Sequence, residues 1–324
     1  MKFKSFTFLA ILLMLIPFYG NSAKIYSQNL SDFEINSNHS VFTFSFDNDV
    51  LLKTDRYYTN GFIFSLLKNF SHSSLINSRI LSANDLRNYY QISLKQKIYT
   101  PKNFSLDEIS VGDRPFSANL ILSYNELSFS KSQNFIVKSF FSIGVIGQIA
   151  FGKEVQNGIH SLLPHSSDVP GWEYQIPNGL LAEAGMLLEK QILSWKSILI
   201  NGETDFSLGL PQTMCGMGIH LVASSSGDYF NFPFRLNNDK KSVLFDVRVK
   251  VISKFYDANL QGMPWGKTAP YIISRPKFVL LNLSSGIKYR IDNWSFAINL
   301  YYLSPEFQSG ESHLWNRFSI SRIF

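Results

Sequence analysis

The chain has 324 residues, of which 45% are hydrophobic and 17% charged, so general disorder is excluded and a large core or lipid-facing coat is within reach. Cys215 is the single cysteine, which excludes an internal disulfide and any multi-cysteine metal centre. The net charge of +6 comes from scattered basic residues; it points away from nucleic acid and suits either anionic lipid head groups or a mildly basic surface without a partner.

At the N-terminus, Lys2 and Lys4 precede an apolar run from Phe6 to Phe18, followed by the small residues Gly20, Ser22 and Ala23. This pattern predicts a secretory signal peptide over 1–27, cut near 22–28, with the mature protein at 28–324. The apolar run is shorter than the ~20 residues of a spanning helix. No later segment offers 18 consecutive uncharged apolar residues, so any membrane crossing is expected to use β-structure.

From residue 40 onward the pattern has period two. In Val41–Asp47, Phe42, Phe44 and Phe46 alternate with Thr43, Ser45 and Asp47. Twelve strands are predicted, near 40–49, 58–69, 88–99, 117–129, 134–146, 178–192, 196–208, 215–225, 242–256, 279–290, 294–304 and 313–324. The expected fold is therefore all-β: a transmembrane antiparallel β-barrel in the Gram-negative outer membrane, its even strand number placing both termini on the periplasmic side. Short connections at 130–133, 193–195 and 291–293 read as periplasmic turns, and those at 50–57, 100–116, 147–177 and 257–278 as extracellular loops. Connections 70–87 and 226–241 are long for periplasmic turns. The terminal Phe324 suits an outer-membrane insertion signal.

With that parity, Asn48, Asp49, Thr59 and Asn60 lie at the outer rim, where two phenylalanine-rich strands meet. The longest outer loop carries Gln156, Asn157, His160 and His165, and Glu154, Val155, Ile159 and Leu162 recur at helical spacing before Pro164. On such a short helix Gln156 and His160, four apart, share a face, so Gln156 can orient the imidazole. In a regular strand Asn48 and Asp49 point to opposite faces; a shared site needs a bulge or a strand end.

The segments FDNDV, TDRYYTNG, IYTP, VGDRPFSANL, IGVIG, EVQNGIH, GWEYQI and SPEF, in this order and over nearly the whole mature chain, resemble the outer-membrane lipid A 3′-O-deacylase family, LpxR. The resemblance implies a twelve-stranded barrel that removes an ester-linked acyl chain from lipid A of lipopolysaccharide, using calcium and a histidine-activated water. It carries the family's Asn-Asp pair onto Asn48 and Asp49, its threonine onto Thr59 and its histidine onto His160. Lys102 is the nearest candidate for a family lysine in the loop after IYTP. The expected protein is a monomer embedded in the membrane.

The residue chemistry agrees with this. Asp49 and the Asn48 carboxamide offer the hard oxygen ligands Ca²⁺ prefers, and such an ion stabilises an oxyanion. His160 can take a proton from water near neutral pH. Each residue also has an ordinary role: Asn48 and Asp49 as turn formers, His160 as a solvated loop residue, Thr59 as a strand residue. Two other readings stay open, a non-enzymatic pore or scaffold and a phospholipase-type esterase using Ser161 or Ser166 beside a histidine, although no G-x-S-x-G is present.

Overall fold

The computed structural model describes residues 40–324 apart from 50–55, 70–76, 78–85, 103–111, 131, 162–168, 226–240 and 266–270. The expected signal peptide, His165 and Ser166 lie outside the described residues. Twelve antiparallel strands close into a barrel in sequence order. They are β1 (Ser40–Asn48), β2 (Tyr57–Asn69), β3 (Arg87–Thr100), β4 (Ser117–Ser130), β5 (Phe135–Ile146), β6 (Gly179–Trp195), β7 (Ile198–Gly209), β8 (Gln212–Ser224), β9 (Lys241–Asp257), β10 (Val279–Ile291), β11 (Trp294–Leu303) and β12 (His313–Ile323). Each predicted strand falls on one of these. Closure brings Val41 opposite Ile323, and Ser40 and Phe324 exchange backbone hydrogen bonds of 2.8 and 3.0 Å. Among the described residues no helix is long and apolar enough to cross a membrane.

Alternation places each side chain. Phe42, Phe64, Ile92, Leu94, Leu122, Phe141 and Phe206 are exposed on the outer wall, where only lipid can cover such a continuous apolar surface. Their neighbours turn inward and pair. Lys250 holds Glu203 and Asp205 at 2.8 and 2.7 Å, and Arg317 clamps both oxygens of Asp47 at 2.6 and 2.7 Å. At the extracellular end Glu306 joins Arg114 and Lys254, and Lys254 also reaches Asp257 at 2.8 Å. Burial raises the Glu306 carboxyl's pKa, but Arg114 and Lys254 outweigh it and hold the group well below the ordinary carboxylate range. These charges brace the lumen across several strands.

Short turns appear at the β4–β5, β6–β7 and β10–β11 connections, as the sequence pattern predicts. The long β2–β3 connection has a use in its described residue, Asn77. Its side chain is fully buried and donates to the Glu126 and Val137 carbonyls and the Ser128 hydroxyl, while accepting from Ser139. Those partners continue the outward-facing rows of β4 and β5, so Asn77 closes a polar patch on the outer wall near the periplasmic end.

Between β5 and β6 the chain turns through Gly147 (φ 96°) into a 3-10 turn (Gln148–Ala150) and then helix α1 (Gly152–Ser161). A second 3-10 turn, Trp172–Tyr174, follows, and a four-residue helix α2 (Ala258–Gln261) caps β9. The predicted helix in the long extracellular loop is thus α1.

Candidate active site on the outer wall

The polar cluster at the rim is organised by strand register. Asn48, the last residue of β1, lies directly opposite Asn60 on β2 and Asn316 on β12. All three continue outward-facing rows whose nearest members are apolar: Phe42, Phe44 and Phe46; Phe62 and Phe64; Leu314, Phe318 and Ile320. Yet all three asparagines are buried. The Asn48 amide donates to Asn60 Oδ1 at 2.6 Å and to the Thr59 carbonyl at 3.3 Å, so the row is tied laterally.

The expected break from regular strand geometry is present, and it has two parts. β1 stops at Asn48, which frees Asp49 from alternation, and Asp49 Oδ2 accepts the Arg56 backbone N–H at 2.9 Å. On β2 the register to β3 slips between Tyr58 and Asn60, so Thr59 is the extra residue of a bulge. Tyr57, just before it, has φ 63°, a left-handed conformation that costs a non-glycine residue about 1–3 kcal/mol. Packing in a cluster with Leu260, Ile273 and Phe307 holds it there. Thr59 is fully buried, and its hydroxyl has no hydrogen-bond partner among the described residues.

The same lateral row continues from Asn60 to Ile98 and then Ala118, and α1 docks there. Gln96 donates to the Ala150 carbonyl at 2.6 Å, fastening the entry to the helix onto β3. Gly152 lies so close to the wall that a Cβ would come within 2.4 Å of Ala118, which explains glycine at that position. Trp172 seals the other side, buried against Phe116 with ring centroids 5.0 Å apart.

On α1, Gln156 faces inward: it is fully buried and its Oε1 accepts the Trp172 indole N–H at 2.9 Å. Its Nε2 has no partner among the described residues. His160, one turn on, is half-buried in the last turn of the helix. Lys102 sits just past β3 in the extracellular layer, its Nζ paired with Glu311 and its backbone N–H donating to Asp113 Oδ2 at 2.7 Å. Glu311 also pairs with Arg56, so Lys102 connects to Asp49 through two intermediates. Hydrogen bonding from Lys102, then the nearby Arg56 charge, lowers the Glu311 carboxyl pKa.

The structure therefore brings Asn48, Asp49 and Thr59 together at the β1–β2 rim and sets Gln156 and His160 on a helix docked one and two strands away. Lys102 stands in the loop layer above. Sequence reasoning did not include Asn60 or Asn316 among the site residues, nor Gln96 and Trp172 as supports. For Asn316 a signal existed: it interrupts the apolar face Leu314, Phe318, Ile320 of the last strand.

The rim donors suit a hard cation, since Asp49, the Asn48 carboxamide oxygen and the orphaned Thr59 hydroxyl are all oxygen ligands. A second cluster lies in the lumen, where Glu189, Glu203 and His220 bring ligand atoms within 4.8 Å of one another and could bind a metal. Its histidine suits transition metals better than calcium, and Lys250 and Arg248 already occupy Glu203.

Beside the helix the outer wall hollows into an apolar groove of about 930 Å³, lined by Leu94, Leu122, Ile143, Leu180, Leu208 and Trp265 among others. Leu120 and Val145 border it and also pack against the cluster under α1, so helix and groove share a wall.

Fold and rim together define a class: an outer-membrane barrel with a polar site on its lipid-facing wall, at the extracellular end. The model of the family described as outer membrane protein LpxR matches residues 7–324, and the chain belongs to that family. The barrel is similar to LpxR from Salmonella typhimurium, with a TM-score of 0.70 and 20% identity, covering 88% of this chain and 100% of that one. The β domain of the Bordetella autotransporter BrkA aligns at a TM-score of 0.48 and 9% identity, over 88% of this chain and 98% of that one. No curated protein sequence matches the chain.

Proposed function

We propose that the protein is a lipid A deacylase that hydrolyses an ester-linked acyl chain, the 3′-acyloxyacyl group, of lipopolysaccharide. The observation that carries this reading is the buried asparagine row on the lipid-facing wall at the extracellular end, beside a docked helix bearing Gln156 and His160. Lipid A lies against that wall with its acyl chains in the membrane and its phosphates at rim height. The groove below supplies an apolar surface for a chain.

In this reading His160 takes a proton from water as the water oxygen bonds to the ester carbonyl carbon. The carbonyl–alkoxy bond then breaks, the departing sugar oxygen takes up that proton, and a free fatty acid leaves. Gln156, locked to Trp172, fixes the helix face that presents His160. Asp49, the Asn48 carboxamide oxygen and Thr59 would hold Ca²⁺, which when bound supplies positive charge for the carbonyl oxygen. Lys102 and Arg56, in the loop layer, bind and position lipid phosphates.

The test is mass spectrometry of lipid A after incubation with the purified, refolded protein in detergent and calcium. The expected result is loss of one acyl or acyloxyacyl group. Unchanged lipid A in the presence of folded barrel would leave a pore or scaffold as the better reading.

A further inference from the structure

Asn316 belongs to the buried asparagine row, but the reading above gives it no chemical role. It is 6% exposed, its outward-facing neighbours on β12 are Leu314 and Phe318, and its Nδ2 has no hydrogen-bond partner among the described residues. Burying a carboxamide N–H without a partner is unfavourable, and leucine would complete the lipid-facing row at this position. Across the strand pair it lies directly opposite Asn48. On the other strand beside Asn48, the bulge residue Thr59 has a buried hydroxyl without a partner among the described residues. Two unsatisfied groups thus flank Asn48, one a pure donor.

We propose that Asn316 belongs to the ester-binding site and that its Nδ2–H donates to the carbonyl oxygen of the acyl ester. The ligand class is the carbonyl of an ester-linked fatty acyl chain lying along the outer wall of β12 and β1. A carboxamide donor suits this position. It carries no charge to desolvate in the membrane, and its hydrogen bond strengthens as the carbonyl oxygen gains charge in the tetrahedral intermediate. Asn48 cannot supply the same donor, because its amide is taken by Asn60 and the Thr59 carbonyl. The inference rests on the ester-hydrolase reading.

The experiment compares wild type, Asn316→Leu and Asn316→Asp as refolded barrels in mixed detergent–lipid A micelles with calcium, following fatty acid release. Asn316→Leu removes the donor and restores the apolar row, so its heat-modifiable gel shift and melting temperature should match or exceed wild type. Its kcat should fall roughly a hundredfold with KM little changed, the pattern of a lost transition-state donor. Asn316→Asp keeps the size without the amide donor and should lose kcat similarly. Wild-type kcat in a folded Leu variant would make Asn316 a structural residue and overturn the proposal. If the Leu variant does not fold, the Asp variant decides: wild-type kcat there overturns the proposal equally. A wild-type barrel that is folded but releases no fatty acid removes the hydrolase reading, and this inference with it, an outcome distinct from activity that survives the substitutions.

Discussion

The outer wall carries polar patches at both of its ends, and they differ in how completely they are satisfied. Near the periplasm, Asn77 reaches Glu126, Ser128, Val137 and Ser139, and Ser128 in turn donates to Asn88 at 2.6 Å. Near the extracellular rim, the Asn316 amide, the Thr59 hydroxyl and the Gln156 amide are buried without partners among the described residues. The contrast separates two uses of polarity in a lipid-facing wall. Saturated groups lock a segment against the barrel. Of the unsaturated ones, Asn316 and Thr59 are the groups that the proposals above assign to an incoming ligand.

The sharpest test of this contrast is cation removal. Chelation should abolish fatty acid release, added calcium should restore it, and the periplasmic patch should be indifferent, leaving gel shift and melting temperature unchanged. Asp49→Ala should not be rescued by calcium; full activity of that variant in excess chelator would take the cation out of the mechanism.

Next in size is His160. His160→Gln should lower turnover by roughly a hundredfold or more with folding intact, the range for losing a positioned base. Near-normal release by a folded His160→Gln barrel would move the base elsewhere, and His165→Ala is the companion variant.

Asn77→Ala should do the opposite. It removes the acceptor of the Ser139 hydroxyl and the donor to Ser128, and should lower unfolding free energy by about 1–3 kcal/mol, read by denaturant titration, while kcat stays at the wild-type value. A large loss of kcat at unchanged stability would erase the distinction between the two patches.

The smallest effect concerns acid. Glu306 has its pKa depressed in the folded state, so the stability it contributes is fully present above the ordinary carboxylate pKa and is lost as pH falls through the depressed value. The melting temperature should therefore drop on acidification below about pH 4, where free carboxylates protonate. Glu306→Gln should flatten that drop; an unchanged pH profile would show that Arg114 and Lys254 do not stabilise the barrel through this group.

Much of this protein is legible along the chain. Period-two alternation in segments such as Val41–Asp47 fixes strand identity and which side chains meet lipid, because neighbouring Cβ atoms point to opposite faces whatever the partner strand. The even strand count follows. The helix was legible too, from helical spacing between Glu154 and Ile159. Asn48, Asp49, Thr59 and His160 were reached through motif resemblance.

Other features depend on contacts between distant parts of the chain, and local pattern carries no information about them. Asn316 stands beside Asn48 only because β12 closes on β1 in one register, and a one-residue slip would turn either side chain into the lumen. The Thr59 bulge is visible only against β3, since an extra residue is defined by the strand opposite. The buried Gln156 oxygen accepts from Trp172, a partner that folding supplies from beyond the helix. Asn77, in a connection that looked too long for a turn, finds its acceptors on β4 and β5. Alternation decides what each strand can present, and register and closure decide which of those groups meet.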